Sequence, residues 1–231
     1  MTIAHYVALG DSMSSDHYPT CDARGLDLPP PVLDPLGAAA LLHERLRAVS
    51  PGSSFRNLTE DGAMIDDVVT EELARLGHDS SEPGIVVTLT AGGNDLLDAV
   101  AAGRRLDAAV DRIQRRYGEL VATLREELPQ ATLVLTTVYD PTDGTGRLPG
   151  FEMLGPLPLQ YLSLFNAYVG EAARRSGAVV ADVHRHFLGH GVSAPSPERW
   201  YWGRNMIEPN ARGAAEIRNV WWAALESLGA V

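Results

Sequence analysis

A serine lies just beyond the end of an apolar run near the start of the chain. The run over residues 3–9 stops at Gly10, and Asp11 and Ser12 follow. Its β-branched and aromatic residues predict a buried strand. Ligands of an open α/β sheet bind beyond the carboxyl ends of its strands, so Ser12 is a candidate nucleophile at the rim of a crevice. Capping of a helix N-terminus is the alternative role of this serine.

Two further strand ends carry residues that acyl transfer requires. Gly62 follows a predicted strand at 54–58, and Asn94 follows a predicted strand at 85–89. A serine nucleophile needs donors aimed at the oxyanion that forms on the attacked carbonyl. The backbone N–H groups of Ser12 and Gly62, with the side-chain amide of Asn94, would form such an oxyanion hole. Turn formation is the alternative role of the glycine and the asparagine.

The elements that must hold these residues alternate between strand and helix patterns. We predict strands at residues 3–9, 54–58, 85–89, 132–139 and 178–183, and helices at 37–49, 65–76, 106–128, 159–175 and 212–228. This alternation predicts an α/β protein with a parallel sheet and helices on both faces. Five strands favour a three-layer α/β/α fold with a flavodoxin-like five-stranded parallel sheet in the order 2-1-3-4-5. Ser12, Gly62 and Asn94 would then share one crevice.

Three long segments show no periodic pattern. They cover residues 14–35, 140–158 and 184–210. Loops of this length in a compact domain are usually functional or mobile. We therefore expect the segment 140–158 to shape the substrate site.

The composition bounds the class of protein and its partners. The chain has 231 residues, which we interpret as one domain over residues 1–231. A net charge of −11 argues against nucleic acid or an anionic membrane as a partner, since both require a basic face. The single cysteine, Cys21, excludes an internal disulfide, and no apolar run is long enough to span a bilayer. With no signal-peptide pattern, we expect a cytoplasmic protein that acts on a small molecule.

The motifs resemble those of the SGNH (GDSL) hydrolase family. The matching residues are Gly10-Asp11-Ser12, Gly62 and Gly92-Gly93-Asn94-Asp95, in the order and spacing of the family's first three blocks. The resemblance covers nearly the whole chain and implies a flavodoxin-like α/β/α fold with ester or acyl hydrolysis that needs no cofactor. It implies that Ser12 is the nucleophile and that Gly62 and Asn94 complete the oxyanion hole. We expect the substrate to be an ester or acetyl group of a small molecule or carbohydrate.

The fourth block departs from the family pattern. The family has an Asp, two residues, then a His followed by Pro before the last helix, whereas this chain has Asn205-Met206-Ile207-Glu208-Pro209. Glu208 therefore stands where the family has its catalytic base, and Asn205 where it has the acid that orients the base. The reference pKa of Glu is about 4.3 against about 6.5 for His, a difference of about 3 kcal/mol in proton affinity. Burial would raise the Glu pKa and close that gap, with Asn205 orienting the carboxylate.

Two other accounts of this departure stay open. In one, a different histidine supplies the base; the candidates are His184, His186 and His190 after the fifth strand, and His17 after Ser12. In the other, hydrolase activity is impaired and the chain binds an acylated or glycosylated ligand. A base must be judged by its reach before its pKa, so the choice depends on which group lies beside Ser12.

Two further groups of residues have a structural interpretation. Asp182, His184 and His186 alternate as metal ligands on a strand would, but a fourth ligand is not evident and we predict no metal site. The aromatic residues at 200–202 would suit a sugar or acyl pocket. Such clusters more often pack in a core, and we favour that role here.

Overall fold

A five-stranded parallel sheet forms the centre of the molecule. The computed structural model describes residues 2–24, 36–77, 83–150 and 152–231. The strands are β1 (His5–Gly10), β2 (Ser54–Asn57), β3 (Ile85–Thr90), β4 (Thr132–Thr136) and β5 (Val179–Ala181). Their order is β2-β1-β3-β4-β5, which confirms the predicted fold class and strand order. The carboxyl ends of β1, β2 and β3 are therefore neighbours.

The central strands form where the sequence has unbroken apolar runs. All six residues of β3 are buried, and only the first residue of β1 is not, because helices cover both faces of the sheet. The two strands pair in register from His5 with Ile85 to Gly10 with Thr90. Because of this register, β1 and β3 end side by side, and the residues that follow them start at the same edge of the sheet.

Helices cover the two faces of the sheet. They are α1 (His17–Arg24), α2 (Ala38–Val49), α3 (Ile65–Asp67), α4 (Gly93–Ala101), α5 (Leu106–Glu127), α6 (Leu159–Ser176), α7 (Val183–Phe187) and α8 (Ala211–Ser227). α2 packs against α8, and α5 against α6, so the core consists of two hydrophobic clusters. Trp221 of α8 is fully buried and donates its indole N–H to Thr136 Oγ1 at 2.8 Å. No helix in the described parts of the chain has both the length and the hydropathy of a membrane span.

The segment predicted as one helix at 65–76 is irregular. After α3 it forms a π-helical turn (Val68–Glu72) and a 3₁₀ turn (Leu73–Arg75). Glu72 is buried in this segment, and its Oε2 accepts the Gly10 N–H at 2.7 Å. Changes of helix type often mark functional or strained positions. The predicted helix is thus helical over 65–75 but of mixed helix type, because apolar periodicity does not reveal a polar contact of this kind.

Elements also occur in the segments without a predicted pattern. α1 lies in the predicted loop at 14–35, of which 25–35 is outside the described residues. The segment 184–210 contains most of α7 and an antiparallel hairpin of β6 (Tyr201–Trp202) and β7 (Asn205–Pro209). Asn210 follows β7 and caps α8, since its Oδ1 accepts the Gly213 N–H at 2.8 Å. This cap anchors the chain two residues after Glu208.

Candidate active site

The chain turns sharply between β1 and Ser12. Gly10 has a φ of +114°, and a Cβ at this position would lie 1.5 Å from the Thr90 carbonyl oxygen. Only glycine permits both this conformation and this approach. The Asp11 N–H donates to the same carbonyl at 3.1 Å, and Asp11 Oδ1 accepts the Met13 N–H at 3.1 Å. These contacts hold Ser12 in a fixed turn at the end of the strand.

Ser12 and Glu208 meet in a buried pocket. Ser12 is 8% exposed and Glu208 5%, and both line the same pocket, with the Ser12 hydroxyl close enough to the Glu208 carboxyl to lower its pKa. Glu208 Oε2 is buried without a hydrogen-bond partner among the described residues. A residue near the C-terminus thus reaches the hydroxyl of one near the N-terminus.

The environment of Glu208 raises its proton affinity. Burial raises the pKa of its carboxyl to about 8, against a smaller lowering by the nearby Ser12 hydroxyl. The negative charges of Asp11 and Asp61 raise the pKa further. A carboxyl with this pKa has a proton affinity at or above that of an unperturbed histidine.

The loops after β2 and β3 are tied to each other beside Ser12. Asn94 Nδ2 donates to the Ala63 carbonyl at 3.0 Å, and Asp95 Oδ2 accepts the Ile65 N–H at 3.2 Å. One N–H of the Asn94 amide is thereby occupied, which leaves the other for a ligand. Gly62 lies in the tied turn with a φ of +80° and open space where a Cβ would stand.

An apolar cavity of about 110 Å³ opens at Ser12. Asn94 and Glu208 line it with Ser12, whereas Gly62 is not among its wall residues. The cavity extends between α4, α5 and α6, and Asp140, Pro141, Leu148, Leu157 and Pro158 of the segment 140–158 form part of its wall. Its walls are mostly aliphatic and include Leu96, Val100, Val110, Leu148, Leu157 and Leu162.

Comparison with known proteins assigns the chain to a family. Residues 8–215 match the model of the GDSL-like lipase/acylhydrolase family. The chain belongs to this family. No curated protein matches it in sequence.

Solved structures with the same fold include a phospholipase, a further hydrolase and an esterase. Phospholipase A1 from Streptomyces albidoflavus NA297 is 23% identical, with a TM-score of 0.63 over 96% of this chain and 100% of that one. A hydrolase from the metagenome of Lake Arreo is 18% identical, with a TM-score of 0.69 over 99% and 98% of the two chains. The acetyl xylan esterase AlAXEase is 16% identical, with a TM-score of 0.65 over 96% and 99%. At these identities the similarity extends to the fold alone.

The histidines considered as alternative bases have other partners in this GDSL-family chain. His184 Nδ1 lies 3.1 Å from the Val138 carbonyl, His186 Nε2 lies 2.9 Å from Glu216, His190 stacks on Trp200, and His17 Nδ1 lies 2.8 Å from Asp61. In the described residues no histidine lines the cavity at Ser12. Within the described residues, the titratable side chains that line this cavity are Asp11, Tyr139, Asp140, Tyr161 and Glu208.

Asn205 makes a local contact within its own turn. Its Oδ1 accepts the Ile207 N–H at 3.4 Å, and no hydrogen bond joins its side chain to Glu208 in the described structure. Tyr139 instead holds this strand, because its hydroxyl donates to the Ile207 carbonyl at 2.6 Å. Sequence reasoning missed this contact, although Tyr139 ends the apolar run predicted as the fourth strand.

The aromatic residues 200–202 and the Asp182, His184 and His186 side chains are not among the described residues that line the cavity at Ser12. Trp200 and Tyr201 are buried and pack around Phe187. Trp202 is half-buried against Tyr18, with 5.6 Å between ring centroids. Within the described residues, no group of three His, Cys, Asp or Glu side chains could hold a metal ion.

Proposed function

We propose that this GDSL-family protein is a serine esterase in which Ser12 is the nucleophile and Glu208 the general base. Family membership supports esterase- or lipase-type acyl hydrolysis. The observation that supports the residue roles is the proximity of Ser12 and Glu208 in the wall of one cavity, where the Ser12 hydroxyl lowers the pKa of the Glu208 carboxyl. The amide of Asn94 and the backbone N–H groups of Ser12 and Gly62 are the proposed oxyanion donors.

The first half of the reaction transfers the acyl group to the serine. Glu208 in its carboxylate form accepts the Ser12 hydroxyl proton while Oγ attacks the ester carbonyl carbon. The C=O electron pair moves onto oxygen, where the oxyanion donors stabilise it. As the intermediate collapses, the C–O bond to the alcohol breaks and Glu208 returns the proton to the leaving oxygen.

The second half releases the acid. A water enters in place of the alcohol, gives a proton to Glu208 and attacks the acyl-enzyme carbonyl. The bond to Ser12 Oγ then breaks, and the proton on Glu208 passes to that oxygen. The products are a carboxylic acid and an alcohol, and the enzyme returns to its initial state.

The cavity supports an acyl group larger than the acetyl group considered from the sequence. Its walls are mostly aliphatic, with few polar residues such as Asp140 and Tyr161 beside those at Ser12, and would bury an alkyl chain. Each buried CH₂ contributes about 0.8 kcal/mol to binding. We therefore propose esters with an unbranched acyl chain of several carbons as the preferred substrates.

A series of p-nitrophenyl esters with increasing acyl length tests the proposal. We expect Ser12-dependent turnover that rises from the acetate to esters of medium chain length. Ser12→Ala should abolish turnover and labelling by a fluorophosphonate probe. Ser15→Ala is the matched control, because Ser15 is a buried serine of the same turn with no hydrogen-bond partner for its hydroxyl in the described structure. Equal turnover by the wild type and Ser12→Ala would contradict the proposal.

The role of Glu208 has its own test. Glu208→Gln keeps the shape of the side chain but cannot accept a proton, so turnover should fall by about 10²–10⁴-fold. Glu198→Gln, at an exposed glutamate, is the control. Undiminished activity of Glu208→Gln would contradict the proposal that Glu208 is the general base.

Binding without hydrolysis is a second candidate function. The observation in its favour is the raised pKa of Glu208, because a carboxyl with a pKa of about 8 is mostly protonated at neutral pH. A protonated carboxyl donates a hydrogen bond and does not accept the serine proton. Failure of the fluorophosphonate probe to label Ser12 at about pH 9, with retained binding of a medium-chain fatty acid, would favour this candidate.

A further inference from the structure

A second buried glutamate lies behind the nucleophile. Glu72 is 1% exposed and ends the π-helical turn after α3. Its Oε2 accepts the N–H of Gly10, two residues before Ser12, at 2.7 Å. Its Oε1 is buried without a partner in the described structure. The proposed hydrolysis gives this carboxyl no proton-transfer role.

The contact with Gly10 replaces a strand hydrogen bond. The Leu58 N–H donates to the Ala8 carbonyl at 3.0 Å, as in a continuing ladder between β1 and β2. In a regular parallel ladder the Gly10 N–H would next donate to the Leu58 carbonyl. Arg75 binds that carbonyl instead, at 2.8 Å. Glu72 supplies the acceptor that a buried backbone N–H requires.

Gly10 is the point from which two parts of the candidate site extend. Its left-handed backbone turns the chain towards Ser12. Its carbonyl accepts the Glu60 N–H at 2.9 Å, at the start of the turn that contains Gly62. The orientation of the Gly10 backbone therefore affects both the nucleophile and a proposed oxyanion donor.

We propose that Glu72 is a positioning residue for acyl transfer, which acts by holding the Gly10 N–H and so fixing the turn that presents Ser12. This inference rests on the proposed function. Displacements of about 1 Å at a reacting group cost up to about 10²-fold in rate. The role of Glu72 should thus appear in kcat more than in KM.

The surroundings of Glu72 favour its neutral form. Burial raises the pKa of its carboxyl to about 8, against lowering by the Gly10 hydrogen bond and by Arg75. The charges of Asp11 and Glu60 raise the pKa further. A neutral acceptor of the same shape should therefore replace Glu72 with little loss.

Two substitutions separate the acceptor from the bulk of the side chain. Glu72→Gln keeps an oxygen for the Gly10 N–H, and kcat on a p-nitrophenyl ester should stay within about threefold of wild type. Glu72→Met keeps the length and loses the acceptor, and kcat should fall by about 10-fold or more with KM changed by less than about threefold. Glu71→Met, at the exposed preceding residue, is the matched control and should behave as wild type.

Folding and activity are measured on the same samples. If Glu72→Met does not fold, Glu72→Asp takes its place, because its shorter side chain cannot reach Gly10 and should give the same loss of kcat. Folded variants without an acceptor that retain wild-type kcat would overturn the positioning role. So would equal losses in the Gln and Met variants. Absence of Ser12-dependent hydrolysis in the wild type is a different result, which would refute the proposed function and this role with it.

Discussion

The Tyr139 hydroxyl donates a hydrogen bond of 2.6 Å to the carbonyl of Ile207, the residue before Glu208. Tyr139 is buried and packs against Phe187 and Tyr201. A rigid aromatic side chain thus fixes the backbone of β7 at the residue before Glu208. The carboxyl of Glu208 also raises the pKa of the Tyr139 hydroxyl, after the larger effect of burial, which is consistent with their proximity.

Removal of this hydroxyl should loosen Glu208. Tyr139→Phe removes this donor from the Ile207 carbonyl, so we expect a loss of about 1 kcal/mol in the free energy of unfolding and a fall in kcat of about tenfold. Urea denaturation and ester hydrolysis measure the two effects. Tyr117→Phe is the control, because Tyr117 is fully buried and its hydroxyl has no partner in the described structure. Unchanged kcat in a destabilised Tyr139→Phe would show that the bond stabilises the fold without positioning Glu208.

The raised pKa of Glu208 predicts an alkaline rate profile. The base acts as a carboxylate, and its pKa of about 8 means that this form becomes dominant only above that pH. We expect kcat/KM to rise about tenfold per pH unit below pH 7 and to level off above about pH 8. Glu208→His should move the midpoint down towards about 6.5. A wild-type profile that is already flat at about pH 6 would exclude Glu208 as the base.

The same pKa predicts that stability falls as pH rises. A folded pKa of about 8 exceeds the unfolded value of 4.5, so the folded chain binds the extra proton between these two values. The free energy of unfolding then decreases with pH in that window, by up to about 1.4 kcal/mol per pH unit from this group. Glu208→Gln removes this term, so its stability relative to wild type should be greater at about pH 8 than at about pH 5. Urea denaturation at both pH values measures the difference, and a difference independent of pH would contradict the shifted pKa.

The cavity predicts that acyl-length preference can be changed by one wall residue. Val110 is a buried residue of α5 that lines the cavity. Val110→Phe should fill part of the space, and four lost methylene contacts of about 0.8 kcal/mol each would lower kcat/KM for an octanoate ester by up to about 10²-fold. The acetate ester should be little affected. Val49→Phe, at an exposed position of α2, is the control. Equal losses on both esters would indicate general misfolding and not a blocked acyl site.

The sequence predicted the fold well because the strands of a parallel sheet are continuous apolar runs. The apolar runs that form β1 and β3 are buried on both faces, as strands inside a parallel sheet are. Ser12 and Asn94 follow the ends of these runs, so their positions could be predicted. Glu208 could be identified because Pro209 and the start of α8 fix its place in the order of the motifs. Each of these features is a short-range pattern along the chain, and such patterns can be recognised from sequence alone.

The missed features depend on contacts between residues far apart in the chain. Glu72 and Gly10 are 62 positions apart, and Tyr139 and Ile207 are 68 apart. The sequence around Glu72 is typical of a charged, solvent-exposed helix surface, so the burial of Glu72 cannot be inferred from periodicity. The cavity likewise arises from the spacing of three helices and not from any one of them. From sequence, the location of Glu208 beside Ser12 is a hypothesis, since residue types do not give the distance between two side chains.

Asn94 should contribute through the free N–H of its amide. Nδ2 already donates to the Ala63 carbonyl at 3.0 Å, which fixes the rotamer before any substrate binds. Asn94→Ala removes one donor to the oxyanion, and kcat should fall by about 10²–10³-fold with a smaller change in KM. Asn94→Asp is isosteric but presents an acceptor to both the Ala63 carbonyl and the oxyanion, so it should be at least as inactive. Asn219→Ala on α8 is the control for amide removal. If Asn94→Ala lowers stability and leaves kcat intact, the side chain only ties the two loops together, and the oxyanion would have to depend on backbone donors.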